Sequence, residues 1–519
     1  MVIGFAGLAV FIMGGIVPGL NSLYGVLYEE GAFISHCPAA RARACAEQAH
    51  NRSHTPQVCC RAQDELLAAM SSMGLFASDG VMLLYGELLD RKGARLCCGV
   101  ALVLSWLGFA LLALNSSLLL NDFVWMLAFF CIGVAGPGVF MSCLSFGECF
   151  PSLQPLITAL AASMWDASSI VFYLFSILYF EAGLPFSTIA LLWLAVIVAV
   201  GSTVWTQLPT REQLAVLRAH GAECASTHMT RSGGLAELLT EQPAPMEHCG
   251  VLPPSCRSAT TNTTAAAAAA TASVDLLSSS LQEPITTGET LRAPLYSAED
   301  SVWSLFVRRD TMLLLVFMSA FNLKSSFYIV SLRDQLAALG LPAAAVEQTS
   351  NLFNLAFPIG GFVSSFATMA LLNRWRRSEH LYIGLVLSLA CAFSVANLLP
   401  SLWAQQAAAI IFGPTRTLQW AAYFLLLEQH DRYPPAMLGR MIGRGNLVIA
   451  LVGDGPPALL KAYAQQASWP ADAFGRYQLV HAALAVIIFG CLTLPVLLAR
   501  DIRQRKIPLP PMEPHAVNR

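Results

Sequence analysis

The sequence predicts an all-α membrane protein whose twelve transmembrane helices form two six-helix bundles. Three observations carry that expectation. The chain of 519 residues is 56% apolar and only 12% charged. Ordinary soluble domains are about 25% charged, so lipid must solvate much of this surface. Twelve stretches approach the roughly 20 apolar residues that a bilayer core requires, six before and six after one long polar segment. The two sets also echo each other: Leu88, Leu89, Asp90 and Arg91 follow the second stretch, and Leu371, Leu372, Asn373 and Arg374 follow the eighth.

The spans are expected near 2–28, 66–87, 96–118, 122–143, 156–180 and 186–206, then near 311–332, 347–372, 381–400, 402–428, 437–463 and 477–499. Span 1 is apolar from residue 2, with no basic stretch ahead and no small-residue cleavage pattern, so it reads as a spanning helix rather than a removable leader. It contains Gly14, Gly15, Pro18 and Gly19 followed by Asn21 and Ser22. Glycine and proline at mid-depth predict a kinked or broken helix whose freed backbone groups can meet a solute. Gly133, Gly136, Pro137 and Gly138 in span 4 predict close helix crossing instead, and Pro456 and Pro457 a break in span 11. The domains are then 1–206 with an outer loop over 29–65, a linker over 207–305, a second bundle over 306–500, and a tail over 501–519. The linker places six alanines, Ala265 to Ala270, amid Ser, Thr and Pro without lasting apolar period. That composition predicts disorder, with a short helix near 211–219.

With both termini inside, Lys and Arg in the inner loops and tail outnumber those outside by thirteen to seven, which obeys the positive-inside rule. The first loop runs against it with Arg41, Arg43, Arg52 and Arg61. That loop also holds a glycosylation sequon at Asn51 together with Cys37, Cys45, Cys59 and Cys60, features of an oxidising outer face. Four cysteines allow three pairings. A multi-pass protein of the plasma membrane with cytoplasmic termini is the expected location.

The tight charged turn after span 2 reads as a cytoplasmic gate. Gly86 and Gly93 permit close helix approach and a sharp turn. Asp90 can cap the next helix or pair with a base across a bundle interface, while Arg91 and Arg95 stay on the inner face. An ordinary basic loop is the plainer alternative. Charges within the spans are the other candidates: Asp166, Lys324, Arg416 and Asp454 fall near mid-membrane, and Asp79 somewhat inward. Each costs about 2.5–3.5 kcal/mol to insert. They can neutralise one another as structural pairs. Alternatively, Lys324 or Arg416 meets a substrate carboxylate while an acid receives an amine. Trp420 lies at i+4 from Arg416, and Tyr328 at i+4 from Lys324; a base beside aromatics suits a zwitterion with an apolar side chain. Asp79, Asp166 and Asp454 leave proton coupling open.

Two six-helix repeats joined by a linker resemble the major facilitator plan, with Ala94 standing where that plan's hinge usually has another base. Within it, Cys60 to Glu65 leading from a cysteine-containing loop into span 2, and Cys37 with Asn51, resemble solute carrier family 43. So do Asp166 to Ser169 with Phe172 and the turn Tyr179 to Gly183, and Arg416 followed by Ala421 to Phe424. The resemblance covers both halves but not the linker. It implies facilitated, sodium-independent transport of large neutral amino acids, although one branch carries purine nucleobases. It also implies a Cys37–Cys60 disulfide, with Ser169 beside Asp166 in the substrate site.

The chain shows no Walker-type phosphate loop, no histidine-rich metal spacing and no G-x-S-x-G nucleophile motif. Hence no ATP, metal, cofactor or catalytic residue is expected, and a net charge of -2 argues against a nucleic-acid partner. His481 reads as a packing residue. The expected function is uniport of a zwitterionic amino acid through the lipid bilayer by alternating access, with substrate between spans 1, 5, 7 and 10. The alternatives are a carrier of purine nucleobases or another small solute, with or without a proton, and a membrane receptor that signals through the linker.

Overall fold

A computed structural model describes residues 2–40, 59–118, 121–149, 154–210, 212–213, 300–374, 379–428, 432–466, 469–494 and 496–497. Nearly all of the predicted linker, the tail over 501–519, the sequon at Asn51, and Cys45 lie outside the described residues.

Among the described residues, twelve helical rods follow one another in the expected order. Three pieces make α1: Val2–Met13, a 3-10 turn over Val17–Leu23, and Tyr24–Glu29. Its two arms bend by 49°. The bend falls where Gly14 and Gly15 precede Pro18, whose ring cannot continue the preceding helix. Then come α2 (Arg61–Lys92), α3 (Ala94–Leu118), α4 (Asp122–Leu144), α5 (Gln154–Ala167 and Ile170–Phe180) and α6 (Phe186–Gln207). The Asn121 side chain starts α4 by accepting from the Val124 amide at 3.0 Å, an ordinary N-cap. A short helix, Val302–Phe306, leads into the second set: α7 (Arg309–Ala338), α8 (Ala343–Arg374), α9 (Glu379–Leu398) and α10 (Leu402–Leu427). Next, α11 runs as Leu438–Ile449, a π turn over Ala450–Asp454, and Pro457–Gln466; α12 is Ala473–Gly490. Pro457 cannot donate to the ladder, so the wide π turn and the break at Gly455 and Pro456 absorb it.

Nine of these rods are long and apolar enough to cross a membrane, and the bent α1 makes a tenth; α8 and α10, of 32 and 26 residues, complete the set. Leu191, Leu192, Val103, Phe123, Ile410 and Val486 are more than half exposed, which suits side chains that face lipid tails. The two sets meet mainly where α2 packs on α11 and where α5 packs on α8 and α10. Because α8 is the counterpart of α2, and α11 of α5, the α2–α11 and α5–α8 contacts are repeats of one another.

Candidate functional site

Between the two halves, polar groups gather in three layers. At the end that holds the charged turn, the Asp90 carboxylate accepts from the backbone amides of Gly439 (3.1 Å) and Arg440 (2.9 Å) and from Arg440 Nε (3.1 Å). Asp90 thus caps the start of α11, in the opposite half, and pairs with its base. Glycine is required here: a Cβ on Gly86 would lie 2.0 Å from the Gly439 carbonyl oxygen. Arg91 pairs with Glu87 within its own helix at 2.5 Å. Arg95 donates to the Thr206 carbonyl at 2.8 Å and stacks over Trp205, tying α3 to α6 in one half. Gly93 ends α2 at φ 93°, a conformation that disfavours side chains. Beside this layer, Thr158 of α5 donates to Glu428, just beyond α10, at 2.6 Å.

At the opposite end, Lys461 of α11 lies 2.8 Å from Asp334 of α7 and 3.8 Å from Asp64 of α2. Tyr28 donates to Asp64 at 3.0 Å, and the Asn21 amide donates to the Ile329 carbonyl of α7. Both ends of the interface are therefore bridged. The Cys37–Cys60 disulfide lies at this end, with a Cα–Cα separation of 5.7 Å. Cys59 is disulfide-bonded as well.

In the middle layer, Arg416 of α10 bonds Asp166 of α5 through Nε at 3.2 Å, and Thr417 donates to the other Asp166 oxygen at 2.6 Å. Arg416 Nη1 also donates to Asn322 of α7 at 3.3 Å. The Asn322 amide in turn donates to Asp454 of α11 at 2.9 Å, on the oxygen that Ser326 also serves at 2.7 Å. Asp79 of α2 is buried where that helix packs on the π turn that carries Asp454. One chain of hydrogen bonds thus links α5, α10, α7 and α11. Asp166, Arg416, Asp454 and Asp79 are all less than 9% exposed, so their mutual attraction is little screened. Of these three acids, only Asp166 is paired directly with Arg416.

Solved structures match this architecture along almost its whole length. The human organic anion transporter MFSD10 (TETRAN) superposes with a TM-score of 0.55, covering 94% of this chain and 99% of its own at 14% identity. FucP in its outward conformation gives 0.51 over 95% and 98% at 13% identity. The fold is that of the major facilitator superfamily. Sequence comparison reaches less far. No family model matches the chain. Protein FMP42 of Saccharomyces cerevisiae is 26% identical over 165 residues, which make up 32% of this chain and 30% of that relative.

Within this major facilitator fold, the sequence-predicted residues separate into groups. Asp166, Arg416, Trp420, Asp79 and Asp454 come together in the middle layer, where the Arg416 guanidinium lies 5.9 Å from the Trp420 ring. Ser169 and Ser22 bond carbonyls of their own segments, Asp166 and Gly19, and Asn21 belongs to the disulfide end. Lys324 is not brought to Arg416. It sits inside the second half, 3.3 Å from His481 Nδ1 on α12 and 5.5 Å from the Phe393 ring of α9. Helix geometry is the reason: at about 100° per residue, Lys324 points roughly opposite to Asn322 and Ser326, which face Asp454. Tyr328 shares the Lys324 face, packed among Phe353, Phe393 and Phe412. His481 is also more than packing, since its Nε2 meets Gln335 Oε1 at 2.8 Å.

Sequence reading missed Asn322, Ser326 and Thr417 because neutral polar residues in an apolar helix raise no charge alarm. Asn322 and Ser326 at i and i+4 were the available sign of a polar stripe. It also missed Lys461 and Arg440 as partners, because both counted only towards topology.

An apolar recess of about 540 Å³ opens between α1, α5 and α8, with the exposed Leu8, Ile359 and Phe362 in its lining. Phe11, Met164, Ala167, Pro358 and Phe362, from α1, α5 and α8, help to line it. Ala167 is the chain neighbour of Asp166.

Proposed function

We propose that this protein is a carrier that moves a zwitterionic amino acid with a large apolar side chain across a membrane by alternating access. The observation that carries the reading is the Asp166–Arg416 pair, buried between the two halves with acid and base on opposite sides. A solute bearing a carboxylate and an ammonium can replace each partner of that pair. Arg416 offers the carboxylate a planar fork of donors, and Asp166 with Thr417 receives the ammonium. The Trp420 ring, 5.9 Å from the Arg416 guanidinium, supplies an apolar face beside the base. An organic anion, the solute named for MFSD10, fits less well, because three acids outnumber the one base. Carriage is driven by gradients and not by nucleotide hydrolysis. The Asp90 end is cytoplasmic and the disulfide end extracellular, in keeping with the balance of Lys and Arg and the resemblance to solute carrier family 43.

A purine nucleobase is the second reading, favoured by the Asn322 amide and the Trp420 ring, each of which meets the Arg416 guanidinium. Purified protein in liposomes separates the two by counterflow of labelled leucine, phenylalanine, adenine and hypoxanthine. Exchange of leucine or phenylalanine is the expected result. Exchange of the nucleobases alone promotes the second reading, and no flux of any amino acid under any gradient removes the first.

A further inference from the structure

We infer that the second half carries a binding site for the phosphate of an anionic phospholipid, where α7 and α11 start beside Trp303. Two bases there have charge to spare. The Arg444 guanidinium of α11 stacks on the Trp303 ring at 5.5 Å. Among the described residues it meets no carboxylate, and its Nη1 is buried without an acceptor. Of the other bases on α11, Arg440 pairs with Asp90 and Lys461 with Asp334. Arg309, the first residue of α7, is exposed and likewise has no acid partner among the described residues. Asp310, the next residue, is already taken: it bonds Arg308 at 2.5 Å and lies 4.0 Å from Arg432. A guanidinium without an acceptor presents a planar fork of donors that matches phosphate oxygens.

A lipid suits these bases better than a soluble phosphate because each one heads an exposed apolar stripe. On α7, Met312 and Val316 follow Arg309 at i+3 and i+7, on one exposed face. On α11, Leu451 and Val452 follow Arg444 at i+7 and i+8, and both are exposed. The two helices pack side by side, so two bases stand at the head of two runs of bare aliphatic side chain. A phospholipid has the same order, phosphate first and acyl chains behind it. Trp303 marks the level. Buried Val302, Leu305 and Phe306 hold the short helix Val302–Phe306 in place, which leaves Trp303 and Val307 each 62% exposed. Tryptophan concentrates where headgroups meet tails.

This is the end read above as cytoplasmic, where the facing leaflet is anionic and basic pockets between spanning helices take lipid headgroups. Both helices belong to the second half, so the lipid travels with that half when the bundles rock. Its binding does not depend on which solute is carried, or on whether one is.

A photo-crosslinking side chain placed at Val307 identifies the bound lipid, with the full chain in nanodiscs of equal phosphatidylserine and phosphatidylcholine. Mass spectrometry reads the adducts. One base beside an anionic headgroup is worth about fivefold in occupancy, and adducts should favour phosphatidylserine by at least that factor. The same probe at Leu191, an exposed residue of α6 in the first half, should show no preference. Arg444→Gln, and separately Arg309→Gln, should each lower the preference severalfold, while Arg444→Lys should keep most of it. No preference at Val307, or an equal one at Leu191, overturns the inference. So does a preference that survives both glutamine variants. Should Arg444→Gln fail to fold, the comparison of Val307 with Leu191 and the Arg309→Gln variant decide. Added inorganic phosphate should leave the adducts unchanged. If it erases the preference, the two bases serve a soluble anion and the lipid site is lost.

Discussion

Arg416 and Lys324 are both bases buried deep within spans, yet their settings differ. Arg416 reaches from α10 across the interface to Asp166 of α5, so its bonds must break whenever the halves separate. Lys324 stays within its own half, held against His481 and Phe393, where rocking of rigid bundles leaves its contacts intact. The contrast teaches that an intramembrane charge indicates a working site through what it faces. Mere presence in the bilayer says little, because a charge inside one bundle can serve only that bundle's packing.

Removing Arg416 is the harshest way to test that distinction. Stripping one partner from a buried pair costs about 3–5 kcal/mol. Arg416→Ala should therefore lower leucine or phenylalanine flux by about 100-fold or more while surface expression stays normal. Lost expression would turn the pair into a purely structural one. Asp90→Ala comes next. It removes three hydrogen bonds to α11, and bonds to a charged group are worth about 1.5–3 kcal/mol. Turnover should fall about tenfold with binding retained, and unchanged turnover would end the gate assignment. Lys324→Met probes the other side of the comparison. Replacing a buried charge by an apolar side chain of similar size is often neutral or stabilising by about 1–4 kcal/mol, so melting temperature should hold or rise and flux should change by a few-fold at most. A collapse like that of Arg416→Ala would erase the contrast. Lys461→Met should act least, because its partners Asp64 and Asp334 keep about a quarter of their side chains exposed to solvent. A severalfold change in exchange rate is the expected ceiling.

The fold was legible because hydropathy and repetition both bear on it. Its errors are local. The helix α2 begins at Arg61 rather than near 66, because Gln63 and Asp64 are polar yet bonded to the loop and to α1. Hydropathy is also weak in α10, whose Gln405, Thr415, Arg416, Thr417 and Gln419 all turn inward. The site was half legible. Asp166 and Arg416 stood out as charges, and Asp90 by its place in the turn. Their partners were hidden, since pairing across 94 to 350 residues leaves no local pattern. The direction of Lys324 was misread because Tyr328 marked a face without saying what it packed against. Asn322 and Ser326, one turn apart, defined the opposite face.

The central claim is that the middle layer opens to water on alternate sides and receives the solute there. Its most direct test is the rate at which a membrane-impermeant thiol reagent modifies Thr417→Cys from each side of sealed liposomes. The account predicts measurable modification from both sides, slowed by leucine or phenylalanine. No modification from either side, with or without solute, would contradict it.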